Sequence, residues 1–72
     1  MKVFGDRLRE LRKEKGLSMK QLSQKIKASD AIICRWENNL AEPTAPSIAE
    51  IAKFFEVSTD YLLGLENDDG SK

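Results

Sequence analysis

Apolar positions recur along this chain with a helical period. Phe4, Leu8 and Leu11 fall at i, i+4 and i+7, one helical face, while Arg7, Arg9, Arg12 and Lys13 fill other faces. Basic residues crowd the end of this stretch and Gly16 follows, the pattern of a helix stop. The spacing predicts a first helix from about Phe4 to Lys15. Ser18 and Gln21 then have capping-box spacing, with serine capping the next helix and glutamine reaching back. Leu22 and Ile26 follow at i, i+4, so a short second helix is expected from about Met19 to Lys27.

Lys27, Ala28 and Ser29 form the next break, and Ser29 is a good N-cap. Ile33 and Trp36 sit at i, i+3 in a third helix from about Asp30 to Asn38. The second and third helices are thus joined by a short turn, as in a helix-turn-helix. Asn38 and Asn39 both accept left-handed backbone angles and end the helix. Pro43 and Pro46 predict a loop from Leu40 to Pro46. Ser47 with Glu50 reads as a second capping box, opening a fourth helix to Phe55 on Ile48, Ile51, Ala52 and Phe55. Ser58 caps a last short helix carrying Tyr61, Leu62 and Leu63, and Gly64 closes it. The expectation is an all-α fold of five helices over residues 1–65, with a polar, fraying C-terminal tail over 66–72.

Composition narrows the function. Seventy-two residues make one domain with a small core. With no histidine and one cysteine, Cys34, an internal disulfide and a Cys/His zinc site are both excluded. No cofactor or metal is expected, and the lack of histidine argues against an enzyme. No apolar run approaches a membrane span and no signal-peptide region opens the chain, so a cytoplasmic location is expected. The net charge of zero hides a division. Residues 1–39 hold ten Lys/Arg against five Asp/Glu, net +5, and residues 40–72 hold two against seven, net −5. That asymmetry fits a basic working surface, and equally two solvated sets of helix faces.

At about 100° per residue, Ile33 and Trp36 of the third helix face the core. Ala31 and Arg35 then point away, with Cys34 beside them and Asp30 and Ile32 on the flanks. Such a stripe suits base edges in a major groove. Arg35 is the candidate base reader, because its fork can bond two acceptors of guanine; a phosphate contact or simple solvation is the alternative. Asp30 either accepts from cytosine or only steadies the helix N-terminus by its charge. Ala31 and Ile32 offer apolar contact to thymine methyls, or are plain surface or partial core. Lys20, Lys25 and Lys27 add electrostatic attraction to phosphates. Cys34 reads as a small filler, with a redox switch as the sharper alternative, and Trp36 as a core anchor. Tyr61, Leu62 and Leu65 crowd the last helix; they either close the core or form an exposed dimer patch.

The run LSMKQLSQKIKASDAIICRWENN (Leu17 to Asn39) resembles the helix-turn-helix of the Cro/C1-type repressors, the XRE family. FGDRLRELRKEKG looks like that family's first helix, and EPTAPSIAEIAKFFEVSTDYLLG like its fourth and fifth. The resemblance implies a lambda-repressor-like domain that binds double-stranded DNA as a homodimer, with the third helix in the major groove. It implies a phosphate contact for Asn38, a cap and phosphate contact for Ser29, and an Arg12–Glu37 salt bridge that leaves Arg12 near a phosphate. Two independent surface charges are the alternative for that pair. Met19 stands where the family often has glutamine, and Asn39, Leu40 and Ala41 where it often has glycine and basic residues, so the phosphate grip is expected to be weaker than usual. Lys27 stands where glycine commonly takes a left-handed angle, at a cost of about 1 kcal/mol. The leading reading is a sequence-specific DNA-binding transcriptional regulator, of the repressor type. The other is a protein-interaction module on the same fold, an antitoxin or a partner-binding regulator.

Overall fold

The computed structural model describes residues 2–65, and the polar tail expected over 66–72 lies outside the described residues. The chain forms α1 (Lys2–Glu14), α2 (Met19–Lys25), α3 (Asp30–Glu37), α4 (Ala45–Phe55) and α5 (Thr59–Leu63). No strand occurs among the described residues. Four of the helices open on a hydroxyl cap: Ser18, Ser29, Thr44 and Ser58 each accept from the backbone N–H three residues on. At Ser18 the capping box is complete, since the Ser18 N–H also donates to Gln21 Oε1 at 2.8 Å.

The helix ends are of two kinds. Beyond α1, α3, α4 and α5 the chain turns through a left-handed residue, at Gly16, Asn39, Glu56 and Gly64. At each, paired backbone bonds close the turn, such as Leu40 N–H to Arg35 O at 2.8 Å and Asn39 N–H to Trp36 O at 3.2 Å. The left-handed break after α3 therefore falls on Asn39 alone, while Asn38 keeps φ −100°. Helix α2 ends differently. Ile26 is extended, and Ala28 N–H donates to Ile26 O at 2.9 Å, a tight turn centred on Lys27. Lys27 has no positive φ, so the left-handed strain expected there is absent.

Helix α4 starts earlier than the prolines suggest. Thr44 is its cap and Pro46 lies in the first turn, where a missing N–H costs nothing. Ser47 is inside the helix and donates its N–H to Thr44 Oγ1, so the Ser47–Glu50 capping box does not form.

The core is Phe4, Leu8, Leu22, Ile26, Ile33, Trp36, Ile51, Ala52, Phe55 and Leu62. Helix α3 lies at its centre, packed on α1 and α2, while α5 closes the far side against α1 and α4. Trp36 meets Phe4 edge-on with ring centroids 5.9 Å apart. That approach depends on Gly5. A Cβ there would stand 2.5 Å from Trp36 O, so only glycine lets α1 sit this close to the backbone of α3.

Candidate nucleic-acid interface

The turn before α3 is braced from outside the motif. Lys27 N–H donates to Glu50 Oε2 of α4 at 3.1 Å, which satisfies a backbone donor that the turn leaves without a helical partner. Ser29 then opens α3, its Oγ accepting from Ile32 N–H at 3.1 Å. On the other side Ile33 and Trp36 are buried in the core. With both faces so held, α3 presents Asp30, Ala31, Cys34, Arg35 and Asn38 to solvent. Ile32 is different from its neighbours on this stripe. It is half-buried, packs against the core one turn before Trp36, and lines a cleft of about 260 Å³ with Lys27, Ala28, Glu42, Thr44 and Ser47.

Glu37 fixes the far end of α3. Its carboxylate is fully buried, and Arg12 grips it with a fork: Nε to Oε2 at 2.7 Å and Nη2 to Oε1 at 2.9 Å. Arg12 Nη1 donates to Leu17 O at 2.9 Å, so the guanidinium also ties down the end of α1. The hydrogen bond to Glu37 holds the Arg12 pKa above its ordinary value, against a smaller opposing effect of burial. Each of the three Arg12 nitrogens donates one bond inside the protein, and the side chain is 11% exposed.

One residue that sequence reasoning left unassigned, Arg9, completes this corner. Arg9 lies one turn before Arg12 on α1, and its Nε stands 3.4 Å from Glu37 Oε1. Its Nη2 donates to Glu37 O at 3.4 Å and to Asn38 Oδ1 at 3.5 Å. The i, i+3 spacing of Arg9 and Arg12 was the available signal. Glu50 was visible only as a capping-box glutamate, and its true partner lies 23 positions away in the chain. Asn38 itself turns its amide inward: Nδ2 donates to Cys34 O at 2.8 Å and reaches Cys34 Sγ at 3.4 Å.

Lys20, Lys25 and Lys27 are exposed, while Met19 is half-buried against the core. The residues expected in a dimer patch separate. Leu62 is fully buried in the monomer, because α5 closes the core with it, so it is not part of an exposed patch. Tyr61 is half-buried beneath the Arg7 guanidinium, 4.2 Å from its ring centroid, and Leu65 is exposed. Among the described residues no group of three or more Cys, Asp or Glu side chains is placed to hold a metal ion, and no helix is long and apolar enough to cross a membrane.

Two capped helices joined by a tight turn, the second packed at the centre of a five-helix core with one face left open, are the geometry of a helix-turn-helix protein. The chain belongs to the helix-turn-helix family, whose domain model matches residues 5–68. It is 34% identical over 70 residues to an uncharacterized HTH-type transcriptional regulator, YobD, of Bacillus subtilis (strain 168), covering 97% of this chain and 62% of that protein. It is 36% identical to the HTH-type transcriptional activator BcrR of Enterococcus faecalis, covering 88% of this chain and 31% of that one. Repressor protein C2 of Salmonella phage P22 is 30% identical, over 85% of this chain and 28% of the repressor. The chain thus spans less than two thirds of each of these relatives. The crystal structure of the P22 c2 repressor with a synthetic operator superposes with a TM-score of 0.81 at 29% identity, covering 86% of this chain and 94% of that one.

Proposed function

We propose that this chain is a sequence-specific DNA-binding regulator of transcription, of the repressor type, rather than an enzyme. The observation that carries the reading is the exposed stripe of α3 on a fold shared with an operator-bound repressor. In this reading α3 lies in the major groove of double-stranded DNA. Arg35 bonds a guanine edge, Asp30 and Ala31 border it, and Ile32 contributes only the part of its side chain left uncovered. Ser29, Lys20 and Lys27 face the phosphates. The protein works in the cytoplasm as a homodimer joined through Tyr61 and Leu65, which sets two α3 helices on half-sites about one DNA turn apart.

Selection of bound duplexes from a randomised pool, at two salt concentrations, tests this. The expected result is an enriched sequence whose binding weakens with salt, and Arg35→Ala relaxes the preference at one position by about 1–3 kcal/mol. A pool that stays random with no salt dependence refutes it. A second reading, a protein-interaction module on the same fold, is favoured by Leu40, 74% exposed just beyond α3. A tight protein partner whose binding excludes DNA from α3 would establish that reading instead.

A further inference from the structure

The corner where α1 meets the end of α3 holds two arginines and one carboxylate. Arg12 neutralises Glu37 with short, forked bonds in the interior. Arg9 therefore brings a surplus positive charge to the same place. Its side chain is 42% exposed, and its contacts with Glu37 and Asn38 are all 3.4–3.5 Å long, at the weak end of hydrogen bonding. Its Nη1 makes no bond to any described residue. The guanidinium is aimed by three acceptors at the C-terminal end of α3, yet keeps free donors on its open side.

Asn38 has the opposite character. Its amide nitrogen donates to Cys34 O at 2.8 Å and reaches Cys34 Sγ at 3.4 Å, and its oxygen accepts from Arg9 at 3.5 Å. An amide oxygen repels a phosphate and holds a guanidinium. We propose that Arg9 grips a backbone phosphate of bound duplex DNA at this corner, and that Asn38 is its positioning residue. This rests on the DNA reading above. The phosphate displaces weak contacts only, because Glu37 keeps both bonds from Arg12 when Arg9 turns outward.

The test measures the affinity of the full chain for mixed-sequence duplex DNA between about 50 and about 200 mM salt. Arg9→Gln is expected to weaken binding equally on mixed and selected sequences. It lowers the salt slope by about one for each domain bound, so the loss of affinity over that range becomes about threefold smaller. Arg9→Lys keeps the slope, and Asn38→Ala weakens binding with the slope unchanged. A second measurement needs no variant. In the wild-type chain the duplex protects Arg9 from phenylglyoxal, read by peptide mass, while Arg12 is unreactive with or without DNA. An unchanged slope in Arg9→Gln, or no protection of Arg9 in a bound complex, overturns the inference alone. A wild-type chain that binds no duplex at any salt overturns the DNA reading and this inference with it.

Discussion

Glu50 of α4 accepts the backbone N–H of Lys27 at 3.1 Å, so the turn between α2 and α3 is held by a carboxylate from outside the motif. The bond is partly open to water, and its net worth is about 1 kcal/mol. Glu50→Ala is expected to lower stability by that amount in urea unfolding, and Glu50→Gln by less, since an amide oxygen still accepts. The same bond shields the Lys27 amide, so its hydrogen exchange should quicken in Glu50→Ala. An unchanged exchange rate at Lys27 would show that the turn stands without its brace.

The Arg12–Glu37 pair is buried, and breaking it is expected to cost far more. Arg12→Ala leaves a buried carboxylate with only the long contacts of Arg9, a loss of about 3–5 kcal/mol. Small domains are stable by about 5–15 kcal/mol in total, so this variant should be at or near unfolding. The pair also sets a pH dependence. A cation whose folded pKa is raised stabilises below its unfolded pKa, and that stability is lost only as pH rises through the folded value. For Arg12 the loss lies beyond any ordinary buffer. Arg12→Lys forfeits the fork and brings the titration within reach. Its deficit against the wild type should therefore widen above about pH 10. A constant difference between the two chains from neutral to alkaline pH would mean that the charge on residue 12 does not stabilise the fold.

Gly5 offers a test of how closely α1 and α3 are packed. In a free helix, glycine to alanine gains up to about 1 kcal/mol. Here the added methyl stands 2.5 Å from Trp36 O and 3.2 Å from Glu37 O, both backbone atoms that cannot swing aside. The clash should win, with Gly5→Ala destabilised by about 1–3 kcal/mol. A melting temperature above that of the wild type would show that α1 can lift away from α3 freely.

Helix number, order and the motif itself were legible in the chain because they are written in neighbours. Ser18 with Gln21, Ser29 before Ile33 and Trp36, and Gly64 after Leu63 each act within one or two turns, and the backbone follows them. The start of α4 was misjudged for a local reason too: two prolines hid a threonine cap that tolerates Pro46 inside the first turn. Ile32 was placed on an outward flank from spacing alone, and Leu62 was left between core and dimer patch. Spacing orients a side chain about its own helix but does not say what packs on top, and the core covers Leu62 wholly and Ile32 in part.

The sequence by itself determined five helices, a capped recognition-type helix with Arg35 outward, and the apolar residues available for a core. Only the tertiary structure decided how the charges were shared. It buried Arg12 on Glu37, left Arg9 half-open beside Asn38, and set Glu50 under the turn at Lys27. These partners are more than twenty positions apart in the chain. Which arginine is buried and which stays half-open depends on burial and on distances of a few tenths of an ångström, and those exist only once α1, α3 and α4 have packed.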